Sequence, residues 1–264
     1  MTQWGRFLLD EIEKSHVPDG SVALWSIGGA GVVLKTSETI VYIDPFLGGS
    51  SSPEWLRMVA SPINPEDIRF IDAVISTHEH EDHCEEFTIR AVAERTNAVF
   101  IGPVSSADRF REFDVREERI VEMKPGDFYD IKDLRVRAYE ANDPNAESAL
   151  IYVLESYGIK ILHSGDSLYT DVFHQLGRNG GVEVALLNLG RNPPGRRMYM
   201  NLCEVLESAR DLKAEVLVPI HWDLWKHTYE DPRMLKTIAK AWGLDINIRI
   251  LRLGDSLVYP LRTR

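Results

Sequence analysis

Short apolar runs alternate with amphipathic stretches along most of the chain. In the amphipathic stretches apolar residues recur every three or four positions, as at Leu202, Val205, Leu206 and Ala209, which is the spacing of one helix face. This pattern predicts helices at residues 7–14, 85–95, 105–113, 170–176, 201–212 and 232–242. The apolar runs are short and rich in β-branched residues, which indicates strands. The predicted strands lie at residues 21–26, 31–35, 39–43, 73–76, 98–101, 119–122, 134–139, 149–155, 159–163, 184–187, 215–219, 246–251 and 256–260.

The predicted strands and helices alternate in two successive halves of the chain, and no linker separates these halves. Two sheets packed on each other with helices outside would account for this order. We therefore expect an α/β protein with a four-layer αββα sandwich, formed by residues 1–264 as a single domain. The Ser-, Gly- and Pro-rich run at residues 48–53 is expected to form a flexible loop over the active site.

The composition is that of a soluble globular protein, because 44% of the residues are hydrophobic and 27% are charged. A chain of 264 residues can bury a sizeable core. The formal net charge of −11 argues against a nucleic-acid partner, which would normally need a basic surface. This charge is still compatible with a local basic pocket for a small anionic molecule.

The cysteine content and the first residues indicate a cellular compartment. Cys84 and Cys203 lie far apart in the sequence and do not make a disulfide framework. Residues 1–20 contain charges and no long apolar core, unlike a secretory signal. The sequence also has no stretch of about 20 apolar residues for a membrane span. We therefore expect a cytoplasmic protein without a membrane partner.

Three histidines and an aspartate follow the predicted strand at residues 73–76 directly. They are His78, His80, Asp82 and His83. A turning loop can aim these side chains at one point, whereas a regular strand would send His83 to the opposite face from His78 and His80. Imidazole and carboxylate groups are good ligands for zinc, iron or manganese. The motif predicts a metal site, and the alternative is a solvated acidic loop that happens to contain histidines.

This motif resembles the signature of the metallo-β-lactamase superfamily, and further segments agree in order and spacing. The segment at residues 41–46 contains Asp44, the segment at 163–167 contains Asp166, and the segment at 219–223 contains His221. Residues 25–31, 163–169 and 190–195 are similar to the L-ascorbate-6-phosphate lactonase branch of that superfamily. The resemblance implies the αββα fold and a metal-dependent hydrolase.

The resemblance also implies how the side chains divide between one or two divalent ions, Mn²⁺ or Zn²⁺, with iron as a further candidate. His78 and His80 would bind one ion, and Asp166 would bridge to a second. The second ion would be bound by Asp82, His83 and His221. A bridging water has its pKa lowered towards about 7 and can attack an ester carbonyl. This assigns catalysis to Asp82 and Asp166, with no serine or cysteine nucleophile.

One ligand departs from the pattern of many superfamily members, which supply a third histidine to the first ion. Between His83 and His163 the sequence contains no histidine. The equivalent position falls at residues 140–144, and Asp143 is the predicted substitute ligand. A carboxylate in place of an imidazole favours manganese or iron over zinc.

Two polar residues, Asp44 and His163, are expected to lie next to the predicted metal ligands without binding the metal themselves. Asp44 is predicted to accept a hydrogen bond from a ligand histidine and thereby orient it. The alternative for Asp44 is a turn residue before Pro45. His163 precedes the Gly-Asp pair, and we expect it either to make a buried hydrogen bond or to line the pocket.

A Pro- and Gly-rich loop is the predicted substrate-binding segment. Arg191, Asn192, Arg196 and Arg197 lie in this loop, and guanidinium groups bind phosphate in a bidentate manner. An exposed basic loop without a ligand is the alternative. Trp222, Trp225 and His227 follow His221, and they are predicted either to wall the pocket or to belong to the core.

Three functions are consistent with these residues. The first is a hydrolase that uses an activated water to open a lactone, a sugar or sugar-phosphate lactone by resemblance. The second is a phosphodiesterase with the same metal site, and the third is a protein that binds a metal and a metabolite without turnover. The expected partners are a small anionic substrate and further copies of the chain, since the lactonase branch suggests a homo-oligomer.

Overall fold

The computed structural model describes residues 3–49 and 55–261. Its strands are β1 (Val22–Gly28), β2 (Gly31–Lys35), β3 (Ile40–Ile43), β4 (Ala73–Ile75), β5 (Val99–Gly102), β6 (Ile120–Glu122), β7 (Phe128–Ile131), β8 (Leu134–Glu140), β9 (Leu150–Ser156), β10 (Ile159–His163), β11 (Val184–Asn188), β12 (Val216–Ile220), β13 (Asn247–Ile248) and β14 (Ser256–Tyr259). Its helices are α1 (Gln3–Lys14), α2 (Glu86–Arg95), α3 (Val104–Glu112), α4 (Asp171–Arg178), α5 (Leu202–Asp211) and α6 (Arg233–Trp242).

The strands form two seven-stranded sheets with the same internal plan. The first sheet has the order β14-β1-β2-β3-β4-β5-β6, and the second has the order β13-β12-β11-β10-β9-β8-β7. In the first sheet β1, β2 and β3 are antiparallel, and β3 to β6 are parallel. In the second sheet β7 to β10 are antiparallel, and β10 to β13 are parallel. The two halves of the chain therefore repeat one arrangement.

Both faces of the central strands are buried, which explains why their sequences are almost continuously apolar. Successive side chains of a strand point to opposite faces of its sheet. Accordingly Leu24 and Leu34 pack between the two sheets, whereas Trp25 and Val33 pack in the core on the helical side of the first sheet. The core between the sheets draws residues from both of them.

The helices cover the outer face of each sheet. In the first half α1, α2 and α3 contribute buried residues to the outer core, for example Ile12, Ile89 and Phe110. The second half does the same with α4, α5 and α6, for example Phe173, Leu206 and Leu235. The predicted four-layer αββα sandwich is confirmed. Within the described residues, no helix combines the length and the apolar character needed to cross a membrane.

All six predicted helices are present, with ends within a few residues of the predicted ones. The prediction missed β7 and made the strand at 246–251 too long, since only Asn247–Ile248 pairs there. The predicted loop at 48–53 lies largely outside the described residues, which resume at Trp55.

Candidate metal centre

The predicted ligands follow the carboxyl ends of strands in both sheets. Asp44 follows β3, and the histidine motif follows the neighbouring parallel strand β4. In the second sheet Asp143 follows β8, Asp166 follows β10 and His221 follows β12. The carboxyl ends of parallel strands meet at one edge of a sheet, which is where α/β proteins commonly bind ligands. Residues distant in the sequence are thereby brought together.

The segment after β10 and the segment after β4 approach each other closely at this edge, and this approach requires a glycine at position 165. Gly165 has a φ of +52° and lies directly before Asp166. A Cβ atom at this position would lie 2.8 Å from the Cβ and Oγ1 atoms of Thr77. The Gly-Asp pair recognised in the sequence therefore lets Asp166 follow β10 while the histidine motif packs against it.

The first group of ligand atoms comes from His78, His80 and Asp143, which lie close enough to hold one cation. His78 Nε2 lies 2.9 Å from His80 Nδ1 and 3.9 Å from Asp143 Oδ2. The other oxygen, Asp143 Oδ1, accepts a hydrogen bond from the Asn145 backbone N–H at 2.9 Å. Asp143 therefore lies beside His78 and His80, at the position predicted for a ligand that substitutes for a third histidine.

The second group comes from Asp82, His83 and His221. His221 Nε2 lies 3.2 Å from Asp82 Oδ2, and His83 Nε2 lies 3.8 Å from Asp82 Oδ1. The indole N–H of Trp225 donates to Asp82 Oδ2 at 2.8 Å. This hydrogen bond fixes the orientation of the Asp82 carboxylate.

Asp166 lies between the two groups. Its Oδ2 is 3.4 Å from His83 Nε2, and its Oδ1 is 3.7 Å from His221 Nε2. Asp166 also forms a third candidate group with His78 and His83. Because His78 belongs to the first group and His83 to the second, Asp166 has the position of a bridging carboxylate.

Asp44 is fully buried behind this centre. It accepts hydrogen bonds from His83 Nδ1 at 2.8 Å and from the Thr77 backbone N–H and Oγ1, each at 2.7 Å. Because the Nδ1 of His83 donates to Asp44, its Nε2 faces the centre. His163 is also buried, and its Nε2 donates to the Ala30 carbonyl at 2.9 Å, outside the residues that line the cavity.

Burial and neighbouring charges separate the pKa values of the buried histidines. Burial lowers the pKa of His78 to about 3. Burial would also lower the pKa of His83, but the carboxylates of Asp166, Asp44 and Asp82 raise it well above its ordinary value. These carboxylates therefore favour a positive charge at the centre.

The residues present fit a divalent cation. Three buried atoms that face the centre lack a hydrogen-bond partner among the described residues, namely His83 Nε2, Asp143 Oδ2 and Asp166 Oδ1. Buried polar atoms are nearly always paired, and unpaired ones need an explanation such as an ion. Imidazole and carboxylate donors converging on one point supply that explanation.

A cavity of about 400 Å³ opens above the ligands. Its walls are Trp55, His80, Glu81, Asp82, Asn145, Asp166, Arg196, Met198, Tyr199 and Trp225. Arg196 is the one predicted loop arginine among these residues. Its side chain is exposed.

The other predicted substrate-binding residues lie outside the cavity walls. The Asn192 side chain is occupied within its own loop, where its Oδ1 accepts from the Met198 and Tyr199 backbone N–H groups. Arg197 pairs with Glu204, and Arg191 is exposed. Trp222 is half-buried against Tyr229 on the helical side of the second sheet.

Three aromatic side chains belong to the cavity walls, and the sequence prediction gave a role to neither Trp55 nor Tyr199. They are Trp55, Tyr199 and Trp225, and the Trp55 and Trp225 rings lie 5.5 Å apart. Trp55 and Tyr199 lie in irregular segments without a periodic pattern, so the sequence carried no signal for them. Trp225 follows His221 by four residues, and the sequence had indicated it either as a wall of the pocket or as part of the core.

Residues 39–222 match the family described as Beta-lactamase superfamily domain. The match spans more than half of the chain, so the chain belongs to this superfamily. It is a hydrolase of the metallo-β-lactamase fold. Its His and Asp groups are arranged so that they could hold divalent metal.

Individual relatives agree with this class. The chain is 29% identical over 307 aligned positions to a protein of Salmonella heidelberg (strain SL476) named Probable L-ascorbate-6-phosphate lactonase UlaG, covering 98% of this chain and 87% of that protein. The isothiocyanate hydrolase from Delia radicum gut bacteria has a TM-score of 0.74 at 22% identity, covering 89% of this chain and 98% of that one. Igni18, described as a novel metallo hydrolase from Ignicoccus hospitalis KIN4/I, has a TM-score of 0.72 at 18% identity, covering 92% of this chain and 100% of that one.

Proposed function

We propose that the protein hydrolyses the lactone of a small anionic sugar derivative, such as a sugar phosphate, in a reaction that needs divalent metal. The observation that carries this proposal is the arrangement of the cavity. Two connected ligand groups lie at its base, and Arg196 lies on its wall. The similarity to a protein named as a lactonase supports the choice of bond.

Seven side chains would hold the metal, with Asp166 shared between two positions. One position would be formed by His78, His80 and Asp143, and the other by Asp82, His83 and His221. Bound cations would acidify a water molecule and polarise the lactone carbonyl. With its three carboxylates, the ligand set favours Mn²⁺ or Fe²⁺, while Zn²⁺ remains compatible with its four histidines.

Ring opening requires a proton to move from the attacking water to the departing oxygen of the lactone. The carboxylates of Asp82 and Asp166 both line the cavity. Asp82 Oδ2 is engaged by Trp225, whereas Asp166 Oδ1 lacks a hydrogen-bond partner among the described residues. Because the unpaired Asp166 Oδ1 faces the cation positions, we assign the transfer of this proton to the Asp82 carboxylate, which Trp225 holds in orientation.

The cavity walls would select the substrate. Trp55, Tyr199 and Trp225 line the cavity, and a sugar ring can pack against aromatic rings of this kind. Arg196 is exposed at the wall, and its guanidinium group can bind a phosphate or carboxylate in a bidentate manner. The expected substrate therefore combines a compact ring with one anionic group.

The test is hydrolysis by metal-stripped protein reloaded with Mn²⁺ or Zn²⁺. The substrates would be sugar lactones, sugar-phosphate lactones and bis(4-nitrophenyl) phosphate. We expect lactone opening only after reloading, with the phosphorylated lactone preferred. Cleavage of the phosphodiester alone would contradict the proposal, and so would lactone opening at the same rate without metal.

The role of Arg196 has its own test. We expect Arg196→Gln to raise KM for the phosphorylated lactone by about tenfold or more, because a charge-assisted contact is lost, while kcat changes little. The exposed Arg249 lies outside the cavity walls, so Arg249→Gln provides the matched control for loss of one positive charge. An equal KM in both variants would contradict an anion contact at Arg196.

A further inference from the structure

The loop that carries Asp143 joins β8 to β9 and has no regular secondary structure. Its first residues are attached to the segment after Asp166. The Asn142 backbone N–H donates to Ser167 Oγ at 2.9 Å, and the Leu168 N–H donates to the Asn142 carbonyl at 2.9 Å. A loop without helix or strand hydrogen bonds needs a second attachment to hold Asp143 at a fixed distance from His78.

Glu79 supplies that second attachment from within the histidine motif. Its Oε1 accepts a hydrogen bond from the Glu147 backbone N–H at 2.7 Å, and its Oε2 accepts from Ser105 Oγ at 2.7 Å. Ser105 Oγ also lies 2.7 Å from Ser148 Oγ. The Glu79 side chain is only 9% exposed, so these contacts replace solvent around its carboxylate.

The position of Glu79 connects both parts of the first ligand group. It lies between His78 and His80 in the chain, and its side chain contacts the far end of the loop that carries Asp143. His80 Nε2 adds a contact to the Asn145 carbonyl at 3.2 Å. If the Glu79 carboxylate were lost, the loop would lose its hydrogen bond to the motif at Glu147, and the distance between Asp143 Oδ2 and His78 Nε2 would be held less tightly.

We propose that Glu79 is a positioning residue whose carboxylate attaches loop 141–149 to the histidine motif and thereby holds Asp143 at the cation position of His78 and His80. The inference rests on the metal site of the proposed function. It extends that proposal by explaining how a carboxylate on an irregular loop takes the place of the histidine that the sequence lacks.

The test is calorimetric titration of metal-stripped protein with Mn²⁺. We expect wild type to bind two equivalents, and Glu79→Ala to bind one of them about 10- to 100-fold more weakly, as is typical when a partner behind a ligand is removed. Glu79→Gln keeps one acceptor oxygen and should lose less affinity. Glu147→Gln removes a nearby charge but keeps the backbone N–H that Glu79 binds, so it should bind Mn²⁺ like wild type.

A double-mutant cycle distinguishes positioning from a general loss of structure. If Glu79 acts through Asp143, adding Glu79→Ala to Asp143→Asn should weaken Mn²⁺ binding little further, because the loop no longer presents a ligand. Additive effects would overturn the inference. If Glu79→Ala fails to fold, the cycle is run with Glu79→Gln, which should weaken the same equivalent by a smaller factor.

Two further outcomes would overturn the inference in different ways. Two equivalents bound by Glu79→Ala with wild-type affinity would reject the role of Glu79 and leave the proposed metal-dependent hydrolase intact. Wild-type protein that binds no Mn²⁺ or Zn²⁺ would reject the proposed function and this inference together.

Discussion

Two residues of the centre lie in the left-handed region of backbone conformation. Asp44 has a φ of +47° and His221 a φ of +66°. Side chains other than glycine seldom adopt this conformation, and it is often found where a functional group is aimed. At both positions the chain turns sharply just after a strand. The turn directs the Asp44 carboxylate towards His83 and the His221 imidazole towards Asp82.

Replacement of Trp225 tests how Asp82 is oriented. Trp225→Phe keeps a ring in contact with Trp55 and removes only the N–H that donates to Asp82 Oδ2. We expect one Mn²⁺ equivalent to bind about tenfold or more weakly, since such partners typically contribute this much to metal affinity. Calorimetric titration measures the change.

The matched control is Trp222→Phe, which removes an indole that contacts Tyr229 rather than Asp82. This variant should bind Mn²⁺ like wild type. Equal affinities of Trp225→Phe and wild type would contradict the orienting role of the Trp225 N–H.

Site residues can be predicted from the sequence when they form a local motif, and not when their role depends on contacts with distant residues. His78, His80, Asp82 and His83 could be found because they form one local motif after an apolar run. Asp143 could be placed only through the resemblance, because a lone aspartate in a loop carries no local signal. Nothing in the sequence singled out Glu79 within the motif, because its proposed role depends on contacts with Ser105 and Glu147, which are distant in sequence.

At the scale of elements, the helices were easier to predict than the strands at the edges of the sheets. The helices each present one apolar stripe to a sheet, so their periodicity is clear. The edge strand β7 has only one buried residue, Ile131, among its four, and therefore lacks an apolar run. Its antiparallel pairing with β8 defines it as a strand, and this pairing leaves no local pattern in the sequence.

The N-terminus of α5 is stabilised by a capping box next to the loop that carries Arg196. Asn201 Oδ1 accepts from the Glu204 backbone N–H, and the Glu204 side chain accepts from the Asn201 backbone N–H. We expect Asn201→Ala to lower the free energy of unfolding by about 1 kcal/mol. Urea denaturation measures this loss. Asn201→Ser retains a capping oxygen and should restore most of the stability, whereas equal losses in both variants would exclude the cap as the cause.

A hydrogen bond between α5 and the segment before α4 predicts a pH dependence. Tyr169 Oη donates to Asp211 Oδ2 at 2.6 Å. Burial would raise the pKa of Asp211, but this bond and Arg210 lower it below the ordinary value of 3.8. The lowered pKa means that the contribution to stability is complete above pH 3.8 and is lost as the pH falls through the pKa of the folded protein.

We therefore expect Tyr169→Phe to lower the free energy of unfolding by about 1 kcal/mol or less at pH 7. The difference from wild type should shrink as the pH falls below 3.8. Denaturant unfolding at several pH values measures it. A difference that stays constant or grows towards acid pH would show that the Asp211 carboxylate is not involved.

At the scale of the whole molecule, the centre joins the two sheets. His83 follows a strand of the first sheet, whereas Asp166 and His221 follow strands of the second. A cation held by side chains from both sheets binds the folded protein and not the unfolded chain. Binding should therefore stabilise the fold as a whole.

Removal of the metal should lower thermal stability. At free Mn²⁺ of about one hundred times its dissociation constant, we expect a gain of about 2.7 kcal/mol over stripped protein. Differential scanning calorimetry measures the gain in the presence and absence of Mn²⁺. His221→Ala should reduce the gain, because the variant loses a ligand from the second sheet. If Mn²⁺ stabilised this variant as much as wild type, the stabilising ion would not be the one bound by His221.

The central claim is that divalent cations bind at two connected positions at the edge where the two sheets meet. Anomalous X-ray scattering from crystals of Mn²⁺-loaded protein tests it most directly. We predict two anomalous peaks, one among His78, His80 and Asp143 and the other among Asp82, His83 and His221, with Asp166 between them. A single peak, or peaks outside these two ligand groups, would contradict the account.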